Sequence, residues 1–242
     1  LKWAVLSDIH GNLEAFNAVL DCLSKEGIDR VAFLGDIVGY GANPNECIDL
    51  LKDIADIIVA GNHDYGAVGL TDASGFNPAA RAAIEWTAKE LSTINRNFLS
   101  GVHLISIRDD IAFVHSTPYN PQNWDYLFYQ DDLTMNFDSF QTRICFIGHS
   151  HVPVVFKKDK EGKTSSSKTL TVRLEEGGRY IINVGSVGQP RDGIPDAAFG
   201  IYDAKECVFT LKRSPYDIGT AQKKIIKAGL PERLAARIAI GR

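Results

Sequence analysis

The sequence predicts an α/β fold in which two β-sheets pack face to face with helices outside. Apolar runs of strand length alternate with helically spaced segments through the first half, and the second half is mostly short strands. At 242 residues, 45% hydrophobic and 10% aromatic, the chain can bury the core such a fold needs. A single domain over residues 1–242 is expected, with helices at about 215–240 packed on it.

Residues 2–7 form an apolar run ending at Asp8 and read as a buried strand. Residues 12–25 set Leu13, Phe16, Val19, Leu20 and Leu23 at helical spacing, with Gly27 as a stop. A strand over 30–34 ends at Gly35-Asp36, and 44–52 read as a helix with Pro44 in its first turn. A third strand, 54–60, runs into Gly61-Asn62-His63-Asp64, and a long Ala-rich helix covers 78–91. Strands 102–107 and 111–115 make a hairpin through Arg108-Asp109-Asp110, and a short helix is expected over 131–140. Further strands are expected at 143–147, 152–158, 170–174, 179–184, 198–203 and 208–213, with 159–169 as an exposed hairpin tip. The segment 216–240 is helical, broken near Gly229-Leu230-Pro231.

The net charge of −4 provides no basic field, so neither a stable nucleic-acid partner nor a membrane surface is expected. Cys22, Cys47, Cys145 and Cys207 form no C-x-x-C pair and read as buried free thiols in a reducing compartment. No apolar run reaches the ~20 residues of a membrane span. The start is too short for a signal peptide, so a cytoplasmic location is expected, although a leader removed before Leu1 stays open. Oligomeric state is not legible.

Five of the six histidines sit with other metal-type ligands at predicted strand ends: Asp8-Ile9-His10, Gly35-Asp36, Gly61-Asn62-His63-Asp64, His115, and Gly148-His149-Ser150-His151. Strand carboxyl ends are where open α/β sheets bind ligands. Asp8, His10, Asp36, Asn62, His115, His149 and His151 exceed what one ion needs and suffice for two if a carboxylate bridges. Carboxylates, imidazoles and an amide suit two divalent transition-metal ions, manganese first, with iron, zinc, cobalt or nickel as alternatives. A close pair of such ions clamps both oxygens of an in-line displacement and ionises bound water near neutral pH. In Asp8-x-His10 and His149-x-His151, residues i and i+2 of an extended chain point to one side and reach one ion. Gly11, Gly35, Gly61 and Gly148 are expected to let the chain turn sharply beside them.

The ordered series D-x-H, G-D, G-N-H-[DE], lone His, G-H-x-H resembles the calcineurin-like metallophosphoesterase superfamily. The phrases beginning at Asp8 and Asn183 are similar to its small bacterial and archaeal phosphodiesterase-like members. The resemblance implies a four-layer α-β-β-α sandwich of two mixed sheets flanked by helices. It implies one ion on Asp8, His10, Asp36 and His151, and another on Asp36, Asn62, His115 and His149, with Asp36 bridging. It further implies His63 as proton donor to the leaving oxygen, with Asp64 orienting its ring. The reaction implied is hydrolysis of phosphate esters by a hydroxide bridging both ions. One departure stands out. Gly35-Asp-Ile-Val-Gly-Tyr-Gly41 lacks the arginine of the phosphoprotein-phosphatase pattern G-D-x-x-D-R-G. Arg191, after a Gly-rich turn, is the candidate replacement for gripping phosphate. Phosphodiesters or nucleotide-type substrates are therefore favoured over monoesters and phosphoproteins.

Several features carry plainer readings. His103 lacks ligating company and reads as structural. Asp64 and Asn12 are also candidate helix N-caps, and Gly185 and Gly188 suit a simple turn. The aromatic stretch 119–129 is either a substrate lid or base-stacking wall, or packing over the sheet rim. Lys223, Lys224, Lys227, Arg233 and Arg237 read as a solvated helix face. A non-catalytic scaffold of the same fold is the other functional class, disfavoured because every ligand position is filled. A DNA nuclease lacks room for a DNA-binding module.

Overall fold

The structure is a computed structural model that describes residues 1–128 and 133–242. In the first half, β1 (Lys2–Leu6), α1 (Leu13–Leu23), β2 (Arg30–Phe33), α2 (Pro44–Ile54), β3 (Ile57–Ile58), α3 (Asn62–Val68), α4 (Pro78–Glu90) and α5 (Thr93–Ser100) follow one another. Then come β4 (Ile105–Arg108), β5 (Ile111–Val114), α6 (Thr134–Asp138), β6 (Ile144–Ile147), β7 (Val154–Lys158), β8 (Thr164–Ser167) and β9 (Thr171–Arg173). The chain finishes with β10 (Arg179–Asn183), β11 (Ala197–Asp203), β12 (Val208–Ser214), α7 (Ile218–Lys227) and α8 (Glu232–Ile238).

Two six-stranded sheets form, ordered β3-β2-β1-β11-β12-β9 and β4-β5-β6-β10-β7-β8. Both are mixed: β1 pairs parallel with β2 and antiparallel with β11, and β10 pairs parallel with β6 and antiparallel with β7. The near-continuous apolar runs are explained by burial on both faces. On β1, Trp3 and Val5 point between the sheets and Ala4 and Leu6 point outward under α1 and α2. On β6, Ile144 and Phe146 join the same inner core, while Cys145 and Ile147 meet Phe137 of α6 on the opposite face. The layers are therefore helix, sheet, sheet, helix, the sandwich the sequence implied.

Several boundaries differ from expectation. The strand expected at 54–60 shrinks to β3 because α2 runs on to Ile54. Two helices, α3 and α5, were not anticipated; at 7 and 8 residues they are too short to form on propensity alone and depend on tertiary support. The expected hairpin tip narrows, because Thr164–Ser167 pairs antiparallel with β7. The expected helix at 131–140 is seen as α6, while residues 131–132 and Tyr129 of the aromatic stretch lie outside the described residues. All four cysteines are free, Cys47 and Cys145 fully buried and Cys22 and Cys207 partly so. Asn12 caps α1, its Oδ1 accepting from Ala15 N at 3.2 Å. Among the described residues, no helix is long and apolar enough to cross a membrane.

Candidate metal centre

The loops after β1 and β2 are laced together by backbone hydrogen bonds. Asp8 N, His10 N and Gly11 N donate to Gly35 O, Asp36 O and Ile37 O at 3.0, 2.9 and 2.8 Å. The turn after β10 closes on the same loop through Val187 N to Ser7 O and Gly188 N to Asp8 O, both 2.9 Å. Gly148 N reaches His115 O at 2.9 Å, joining the ends of β5 and β6. Five strand ends thus converge on one rim.

The reason the ligand spacing works differs from the sequence expectation. Asp8, His10, Asp36, His149 and His151 are not extended; their φ angles are 54°, 50°, 58°, 64° and 60°. Left-handed backbone turns the side chains inward, and Asp and His tolerate it better than most non-glycine residues. Two of the glycines serve close approach. A Cβ on Gly61 would strike the Asp36 carboxylate, and one on Gly148 would strike Ser7 and Asp8.

The donors meet in three overlapping groups, Asp8 with His10 and His151, His10 with Asp36 and His63, and Asp36 with His115 and His149, with ligand atoms in each within 4.8 Å of one another. His151 Nε2 lies 3.1 Å from Asp8 Oδ1 and 3.1 Å from His10 Nε2. His115 Nε2 lies 3.1 Å from His149 Nδ1, 3.2 Å from Asn62 Oδ1 and 3.3 Å from Asp36 Oδ2. The same Asp36 oxygen is 3.7 Å from His10 Nε2, so one atom faces both His10 and His115. Its other oxygen accepts from His63 N at 2.8 Å.

What lies behind the rings fixes their protonation. The far nitrogens of His10, His115, His149 and His151 meet the carbonyl oxygens of Val38, Leu34, Trp124 and Gln189 at 3.0, 2.8, 2.9 and 2.5 Å. A carbonyl only accepts, so each of these ring nitrogens carries its proton there. In the neutral ring the inward nitrogen is then a bare lone pair. Between His10 and His151, opposed lone pairs at 3.1 Å beside a buried Asp8 Oδ1 without a hydrogen-bond partner repel unless a cation lies between them, whereas between His115 and His149, also at 3.1 Å, a proton on His115 serves in a cation's place. The donor set fits divalent metal ions.

Electrostatics agree. Burial alone would raise Asp8 and Asp36, but His151 beside the first and His115 beside the second outweigh it and hold both carboxylates below their usual range. Burial, helped by His115, lowers His149 to about 4, and burial with Arg191 lowers His151 to about 3. Burial opposes the His115 cation too, yet Asp36 and then Asp8 prevail and raise it to about 9.

A cavity of about 230 Å³ opens beside the donors, lined by Tyr40, His63, Phe76, Trp124, Tyr126 and His149 among others. His63 is buried mainly against Tyr40 and His10, ring centroids 4.5 and 4.8 Å away, and its Nδ1 has no partner. Burial holds its pKa well below the usual histidine value. Asp64 does not orient that ring. Its carboxylate accepts from the amides of Asp36, Ile37, Val38 and Gly61 at 2.8, 2.9, 3.2 and 2.9 Å, pinning the Asp36 loop to α3. Nor is it the N-cap, which is Gly61. Burial and the neighbouring Asp36 push Asp64 up to about 7. His103 is exposed, belongs to none of these donor groups among the described residues, and accepts from Ala60 N through its carbonyl at 2.9 Å. Of the aromatic stretch, Tyr126 stacks on His149 at 4.2 Å and 9°, while Leu127 packs inward beneath the second sheet.

Arg191 is half-buried, donating from Nη2 to Gln189 Oε1 at 3.1 Å and to the Tyr40 hydroxyl at 3.3 Å. Tyr40 was overlooked as a site residue. It stands where the phosphoprotein-phosphatase pattern has its arginine, and that was the available signal. The carbonyls of Leu34, Val38, Trp124 and Gln189 had none, since every residue carries one.

The description of the calcineurin-like phosphoesterase superfamily domain matches residues 1–206, and the chain belongs to that superfamily. It is a metal-dependent phosphoesterase. The chain is 44% identical to an uncharacterized protein of Methanocaldococcus jannaschii over 246 aligned positions, covering 99% of this chain and 98% of that one. A metallophosphoesterase structure from Sphaerobacter thermophilus superposes with a TM-score of 0.89 at 37% identity, covering 100% of this chain and 99% of that one. A hypothetical protein of Pyrococcus horikoshii OT3 shares the fold, with a TM-score of 0.78 at 21% identity over 100% and 98% of the chains.

Proposed function

We propose that the chain hydrolyses phosphodiesters or nucleotide-type phosphate esters with a pair of divalent cations, manganese foremost. The single observation carrying this reading is the set of inward-facing imidazole nitrogens fixed by backbone carbonyls, meeting in two pairs at 3.1 Å. Asp8, His10, Asp36 and His151 hold one cation, and Asp36, Asn62, His115 and His149 the other. The bound pair supplies the Lewis acidity that activates water and neutralises phosphoryl oxygens. Tyr40 and Phe76 pack His63 so that its ring stays beside the cavity, and its Nε2 hands the proton to the leaving oxygen. An entering phosphate anion offsets the burial that keeps this imidazole neutral. Arg191 orients the phosphoryl group, with Tyr40 fixing its guanidinium from one side. Asp64 acts at a distance by holding the loop that bears Asp36.

The aromatic wall of Phe76, Trp124 and Tyr126 favours an ester with a flat organic group over a bare phosphoprotein side chain. The test is chelation followed by Mn²⁺ addition, assayed with an aryl monoester and an aryl diester. Metal-restored turnover with the diester preferred is the expected result. No restored turnover on either ester sinks the reading, and equal or greater monoester turnover removes the diester preference.

A further inference from the structure

Three of the four imidazoles tied to carbonyls are seated alike. His10, His115 and His151 turn Nδ1, the nitrogen nearer their own backbone, to Val38 O, Leu34 O and Gln189 O, and aim Nε2 inward. Val38, Leu34 and Gln189 are themselves fully buried near the strand ends. His149 is reversed. Its Nδ1 faces His115 Nε2 at 3.1 Å, and its Nε2, at the far end of the ring, reaches away to Trp124 O at 2.9 Å.

Trp124 is not part of a strand end. It follows a single 3-10 turn at Pro121–Asn123, and that turn is bracketed by Asn120 and Trp124 at φ 49° and 58°. Asparagine tolerates left-handed backbone, whereas a side chain as bulky as tryptophan is rarely found there. Ser116 Oγ donates to Pro121 O at 2.9 Å and Trp124 Nε1 to Thr71 Oγ1 at 3.3 Å, while the Trp124 ring stands edge-on to Tyr65 with centroids 5.9 Å apart. Trp124 is half-buried, and Asp125 and Tyr126 are exposed. A strained carbonyl on a surface segment is thus aimed at His149. Two residues on, Tyr126 lies flat against the same imidazole, centroids 4.2 Å apart and 9° from parallel, and Phe128 stacks in turn on Tyr126 at 5.5 Å.

A metal-bound imidazole keeps its orientation through the partner of its outer nitrogen and through packing on its faces. For His149, residues 124–126 supply both. We propose that these residues are the positioning element of the second cation site, the one on Asp36, Asn62, His115 and His149, with Tyr126 steadying His149 through its ring face. The second cation then binds more weakly than the first and exchanges separately from it. This rests on the two-cation reading and tells the two sites apart. Trp124 and Tyr126 also line the cavity, so one segment serves both the substrate space and a metal ligand.

The test is Mn²⁺ titration of the metal-free full chain, read by calorimetry and by electron paramagnetic resonance, which separates a lone Mn²⁺ from a spin-coupled pair. Wild type takes up one ion first, with the lone-ion spectrum, and the coupled spectrum follows at higher Mn²⁺. Tyr126 is 46% exposed, so Tyr126→Leu removes the stacking ring without emptying the core. In that variant the first step stays in place and the second moves to about tenfold higher Mn²⁺, the lower end of what losing a support behind a metal ligand costs. Tyr126→Phe keeps the ring and the wild-type second step. Equal shifts of both steps in Tyr126→Leu, an unmoved second step in that variant, or a wild type that fills both sites together overturns the proposal. A wild type that never shows the coupled spectrum defeats the two-cation reading, and the proposal with it.

Discussion

His10 and His151 point their Nε2 atoms at each other across 3.1 Å, each ring tied from behind by a backbone carbonyl. Such a pair is stabilised by whatever positive charge lies between. Chelation should therefore lower the melting temperature and Mn²⁺ should restore it. An ion at a hundredfold its dissociation constant adds about 2.7 kcal/mol. Thermal unfolding with and without chelator measures this, and a transition indifferent to chelator would count against the metal centre.

Asp36 is common to two of the donor groups, its Oδ2 at 3.3 Å from His115 and 3.7 Å from His10. Asp36→Asn keeps the shape but loses the charge. Elemental analysis should show both ions depleted, and turnover should fall by more than the ~100-fold upper range typical of outer-shell changes. Wild-type metal content in this variant would refute the bridge.

A proton takes part of the metal's place on His115 in the cation-free protein, since its pKa is raised to about 9 by Asp36 and Asp8 against the pull of burial. Below that pH the residue is charged and must release the proton to bind a cation. Apparent metal affinity should therefore climb as pH rises toward 9 and level off above it. His149 and His151, lowered to about 4 and 3, add no such dependence near neutrality. Calorimetric Mn²⁺ titrations at pH 8 in buffers of different ionisation enthalpy should detect the released proton; its absence would remove His115 as its source.

His63→Asn should leave metal content intact. Turnover should fall by about 10²–10⁴-fold for alkoxide-like leaving groups and far less for acidic phenols. A uniform loss across leaving groups would argue that His63 only shapes the cavity.

Asp64→Ala strands four buried or partly buried amides of the Asp36 loop and α3. A loss of about 3 kcal/mol is expected, with weaker metal retention. Unchanged urea unfolding would show that these hydrogen bonds are replaced by others.

The alternation of strands and helices and the rim at the strand ends were legible because their signals are local: apolar runs, Gly-Asp and Gly-His endings, and ordered donor blocks. The left-handed backbone at Asp8 and His149 was not, because an i, i+2 spacing is equally consistent with an extended chain. Asp64 misled because adjacency to His63 suggested contact, whereas α3 turns the two side chains in different directions. Short α3 is fastened at its start by that same carboxylate and by Asp36, tertiary contacts no periodicity reports.

The left-handed geometry at Asp8, His10, Asp36, His149 and His151 has an evolutionary corollary. Each such position opposes folding by about 1–3 kcal/mol, and glycine would relieve the strain while deleting the donor. A lineage released from catalysis would gain thermal robustness by drifting to glycine there. Aspartate and histidine at these positions are what chemistry, rather than durability, asks of this backbone.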